Sequence, residues 1–153
     1  MLANVIALIV VAAVVTRSAP SIVPSRPTTN ASTARKTALA WCKHWGVEVK
    51  AGIAVLFKAV DDDYSTDNAR KRDIHYRPGS KPVAPDWDGG ERECGGGLHF
   101  SPAPAMALEF NGVAKRFVAC PVAIKGLSIH PNGTYPQKVK AKGCAKPVYE
   151  VDR

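Results

Sequence analysis

The stretch richest in residue types that do chemistry is 94–110, CGGGLHFSPAPAMALEF. Three glycines allow the backbone to approach a partner closely or to take positive φ. A short strand after them presents His99 and Phe100 on opposite faces. Ser101-Pro102 then supplies an N-cap followed by the residue favoured at the first helical position. Free N–H groups at such a helix start can hold an anion such as a phosphate. On this reading Gly97 gives close backbone approach, while His99 and Ser101 flank whatever binds. The stretch is not a Walker loop, because no Gly-Lys-Ser/Thr occurs, and it fails the G-x-G-x-x-G pattern.

Other clusters point to weaker chemistry. Asp61, Asp63, Ser65 and Asp67 fall at positions 1, 3, 5 and 7 of a calcium loop, but Thr66 stands where glycine is required and Arg72 where a bidentate glutamate is required. The segment therefore reads as an acidic strand exit pairing with Arg70, Lys71 and Arg72, and no metal site is assigned. Cys42, Cys94, Cys120 and Cys144 show no C-x-x-C spacing, and with His44, His75, His99 and His130 they could bind zinc only by convergence in space. They read as free, mostly buried thiols in a reducing compartment, with one disulfide or metal pair as the alternative.

Positioning these groups requires a domain, and 153 residues with 46% hydrophobic and 22% charged side chains suffice for one. Residues 1–17 form an apolar segment. As a helix its 14-residue run 2–15 would span about 21 Å, short of the ~30 Å hydrocarbon core. No Lys or Arg precedes the run and no small-x-small cleavage site follows it, so membrane contact or packing ranks ahead of a cleaved signal. The localisation expected is cytoplasmic, with membrane association through residues 2–15. Residues 18–30 have a Pro/Ser/Thr linker composition. From 31 to 152 the pattern predicts a single small α+β domain, a twisted and mainly antiparallel sheet with two short helices. Asn30 or Ser32 caps the first helix, Trp41 and Trp45 mark its buried stripe, and Gly46 closes it. The apolar run 52–60 reads as a buried strand with Lys58 near its exit, and 115–124 as a second. Shorter strands are expected at 74–77, 98–101, 127–130, 137–142 and 147–151, and a helix at 102–110.

The net charge of +8 is concentrated at the two ends, residues 61–110 being net acidic. Lys138, Lys140 and Lys142 alternate with Val139 and Ala141, which places them on one face of a strand. Without interleaved aromatic residues they read as a solvated edge, and nucleic acid is not the expected partner.

Phe57 to Tyr64, Tyr76-Arg77-Pro78-Gly79, Ala84-Pro85-Asp86, Glu93 to Phe100 and Ala105 to Phe110 resemble an uncharacterised domain family of actinobacteria and their bacteriophages. The likeness covers about residues 31–152. The apolar start departs from it, as in a truncated, fused or mis-started gene. More loosely, Gly95-Gly96-Gly97-Leu98-His99-Phe100-Ser101 is similar to the strand that borders the nicotinamide pocket in ADP-ribosyltransferase-like folds. That similarity implies NAD as cofactor, with Lys58, Gly97 and Ser101 in its binding. It also implies that His99 helps to position the ribose and that Glu150 stabilises the oxocarbenium-like ribose as ADP-ribose is transferred. Lys58 stands where that fold carries His-Gly or Arg-Gly. The expected function is thus an accessory bacterial or phage domain, NAD-binding if enzymatic. The alternative is a non-catalytic interaction or structural module whose loop at 61–97 meets a protein partner.

Overall fold

The computed structural model describes residues 31–66 and 73–153. The apolar segment 1–17, the linker 18–30, and Asp67, Arg70, Lys71 and Arg72 lie outside the described residues. Among the described residues no helix is long and apolar enough to cross a membrane.

Helix α1 (Ala31–His44) ends in a left-handed glycine. Gly46 takes φ +68°, its N–H bonds the carbonyl of Lys43, and Val47 N–H bonds that of Cys42 at 2.8 Å. These two bonds satisfy carbonyls that a helix end otherwise leaves open. The stripe of α1 buries Ala38, Trp41 and Cys42, and the Trp41 indole N–H reaches the Pro136 carbonyl at 2.8 Å. A hairpin follows, β1 (Val49–Lys50) to β2 (Ile53–Val60). Its two-residue turn puts Ala51 and Gly52 both at positive φ, which suits the twist of the strands it joins.

The protein is α+β, with two antiparallel sheets. The first has order β1-β2-β4-β7, with β4 (Arg116–Ala123) and β7 (Tyr149–Val151). The second has order β3-β6-β5, from β3 (Leu98–Phe100), β5 (Ser128–Ile129) and β6 (Val139–Ala141). Strands β2 and β4 pair over their full length, from Ile53 with Ala123 to Val60 with Arg116. Strand β7 pairs only with 117–119 of β4. Beyond that, Pro121 has no N–H to offer, and its carbonyl instead accepts from Ala145 N–H at 2.8 Å.

The alternation of side chains sets the core. Ala54, Leu56, Val60, Val118, Cys120 and Val122 point from the first sheet toward Leu98, Phe100, Val139 and Ala141 of the second, with α1 beside them. One residue pair joins the sheets: Phe57 and Ser101 exchange both backbone hydrogen bonds at 2.9 Å.

Several expectations change here. The segment 74–77 is not a strand. It is irregular backbone that buries Ile74 and Tyr76, and Tyr76 N–H bonds the Tyr64 carbonyl at 2.7 Å. The second helix, α2 (Pro104–Ala107), has four residues, with Ala103 as N-cap and no side-chain cap. Ser101 cannot start it, because its carbonyl, which an N-cap must offer to the first helical N–H, already accepts from Phe57 N–H. The anion-holding helix start expected there does not form.

The solvated lysine edge is corrected as well. Strand β6 is the centre of its sheet, and Lys140 is fully buried. Its ammonium bonds Asp88 at 2.6 Å and the Gly96 carbonyl at 3.1 Å, 5.6 Å from the Trp87 ring centroid. An unpaired ammonium at this depth would be strongly destabilising. The glycine triplet lets the covering loop come this close. A Cβ on Gly96 would lie 1.6 Å from the Asp86 carbonyl oxygen, and one on Gly97 would lie 2.9 Å from the Trp87 ring.

Candidate functional site

The seam between the sheets leaves an opening. The outer edge of β2 is covered by β1 only at its start, by Ser101 at Phe57, and by the Asn111 amide at the Ala59 carbonyl. Where those supports end, a recess of about 340 Å³ opens between β2, β3 and α2.

Lys58, His99 and Ser101 line it together. Lys58 Nζ donates to the His99 carbonyl at 2.9 Å and lies 5.0 Å from the Tyr76 ring centroid, so this lysine also ties β2 to β3. His99 stands on the outer face of β3, opposite the core residues Leu98 and Phe100. Ser101 is buried and lines the recess, with its backbone in the seam.

Four further liners were not read from the sequence: Cys94, Phe110, Asn111 and Lys138. Lys138 Nζ donates to Cys94 Sγ at 2.9 Å and sits 4.5 Å from the Tyr135 ring centroid and 5.4 Å from that of Phe110. Those two rings meet edge to face at 5.3 Å. Asn111 bonds both the Ala59 carbonyl and Asp61. The only signal for Lys138 was its place in the alternating lysine series. Tyr135 is three positions upstream, but Phe110 and Cys94 arrive from 28 and 44 positions upstream, which no local pattern reveals.

Gly97 and Glu150 are elsewhere. Gly97, at φ +127°, packs under Trp87 and donates its N–H to Asp86 at 3.3 Å. Its role is in the wall of the loop, and it does not line the recess. Glu150 shares a cross-strand row with Val118 and Lys58, two strand spacings or about 10 Å from Lys58. It accepts from Arg116 Nη1 and from the Tyr64 hydroxyl, both at 2.8 Å. Arg116 foremost, and Tyr64 after it, hold the Glu150 carboxyl below the usual range. Its depression is a separate one, shared with Lys115, Arg116, Asp152 and Arg153.

Among the described residues that line the recess are two lysines and a histidine, and no Asp or Glu. Cationic groups beside aromatic faces, partly shielded from water, suit an anion that also carries a flat ring. The chain matches no protein-family model, no curated protein and no solved structure.

Proposed function

We propose that this chain is an accessory domain that binds a small anionic ligand, nucleotide-like in joining phosphate charge to a planar ring, in the recess between β2, β3 and α2. The observation that carries this reading is the lining: Lys58, Lys138 and His99 with Phe57 and Phe110, and no carboxylate among the described residues. NAD, the cofactor implied by the resemblance to ADP-ribosyltransferase-like folds, falls within that ligand class. Transfer of ADP-ribose through Glu150 draws less support, because Glu150 is engaged by Arg116 and Tyr64 outside the recess. The resemblance to actinobacterial and phage domains agrees with an accessory role.

A ligand that binds only the folded state raises its stability, by about 2.7 kcal/mol at 100 times its Kd. Thermal melts with millimolar NAD, ADP-ribose, ADP and inorganic phosphate test the reading. We expect a rise of several degrees for at least one of them, weakened by added salt and reduced to about half in Lys138→Met. A panel that leaves the melt unmoved overturns it. The second reading, a protein-interaction module, would then lead, favoured by the exposed Met106, Phe110 and Val113 around and after α2.

A further inference from the structure

Cys120 and Cys144 lie away from the recess and meet in the core. Cys120 is in β4, paired with Leu56, and has no solvent exposure. Cys144 follows β6 and is 7% exposed. Backbone bonds fix it from two sides: its own N–H donates to the Pro82 carbonyl at 3.0 Å, and Ala145 N–H donates to the Pro121 carbonyl at 2.8 Å. The second bond lays Cys144 against the residue that follows Cys120, which brings the two thiols close enough to interact. Both belong to one apolar cluster. A structural zinc site needs four ligands, and among the described residues no third His, Cys, Asp or Glu joins the pair.

We propose that Cys120 and Cys144 are a disulfide-forming pair, which closes when the chain meets an oxidising small-molecule disulfide and locks the segment after β6 onto β4. Cys144 is the more accessible sulfur and reacts first. Its thiolate attacks one sulfur of the small disulfide, whose S–S bond breaks and releases a thiolate that takes up a proton. Cys120, giving up its own proton, attacks Cys144 Sγ, and the mixed disulfide breaks to release a second small thiol. Two protein thiols are oxidised and one small disulfide is reduced to two thiols. Burial pushes the Cys120 thiol well above its ordinary range, so closure is slow and needs a local opening of 143–146. The closed bond encloses β5 and β6, linking the first sheet to the end of the second.

The test uses the full chain, treated with oxidised glutathione or with dithiothreitol, then alkylated under denaturing conditions and mapped by mass spectrometry. Oxidation is expected to protect Cys120 and Cys144 from alkylation, whether or not the exposed Cys94 takes up glutathione, and the map to join the peptide of Cys120 to that of Cys144. The melt should rise by about 10 °C, reversibly with dithiothreitol. Cys94→Ser keeps the link and Cys144→Ser abolishes it. The wild-type map decides the matter even if a variant fails to fold. Cys120 and Cys144 still alkylated after oxidation, a link between other cysteines, or glutathione left on Cys144 without closure would each overturn the proposal.

Discussion

Lys138 and Lys140 stand two residues apart on one face of β6 and its lead-in, yet their charges meet opposite surroundings. Lys140 lies under the 86–97 loop and is answered by Asp88 and the Gly96 carbonyl. Lys138 lies where that cover ends and contacts a thiol and two aromatic rings at the recess. The loop, and not the strand, decides which lysine is fastened under cover and which one opens on the recess. A buried cation with a carboxylate is a fastening. Lys138, held by rings and a sulfur, also feels the Glu93 carboxylate through space, so only part of its field is left for an incoming anion.

Breaking the fastening should have the largest effect. Asp88→Ala leaves the Lys140 ammonium buried without its carboxylate, and the melt is expected to fall by roughly 10 °C. Next comes the approach that makes the fastening feasible. Gly96→Ala forces a Cβ onto the Asp86 carbonyl and must lift the loop, so a loss of about 2–3 kcal/mol is expected in chemical denaturation. An Asp88→Ala, Gly96→Ala double variant should lose less than the sum of the singles if both act through the same loop.

Acid sharpens the comparison. The hydrogen bond from Lys140 lowers the Asp88 pKa from 3.8 to about 2. Because the folded state binds this proton more weakly than the unfolded one, its contribution is complete above the unfolded value and is lost as pH falls through about 2. Denaturation midpoints between pH 2 and 5 should therefore slope less steeply in Asp88→Asn than in the wild type. Lys138→Met, by contrast, is expected to change stability by under about 1 kcal/mol while weakening anion binding about tenfold, read by titration calorimetry. The smallest effect is assigned to Glu150→Gln, a melt change within about 2 °C and unaltered ligand affinity. A large loss of NAD affinity in that variant would restore Glu150 to the site.

The parts legible in the sequence were those fixed by short-range physics. The glycine at 46 closed α1 as its φ requires, and the apolar runs at 52–60 and 115–124 became β2 and β4 in register. The strand placed at 74–77 failed because Ile74 and Tyr76 are buried from irregular backbone, which reads locally like a strand. Lys140 was misread because its carboxylate lies 52 positions away. For the candidate site, His99 and Ser101 do line one recess, together with Lys58. The glycines beside them pointed to a ligand, whereas the groups they admit are the protein's own Asp86, Trp87 and Asp88. Cys94 and Lys138 carried no local signal, since each takes its meaning from the other.

The segment 86–97 has no regular helix or strand of its own, yet with Trp87 and Asp88 it roofs the outer face of the second sheet. It is a third layer of the architecture made entirely of turns. A protease cut there would not trim a dispensable appendage; it would unroof a charged strand and undo the wall beside the recess.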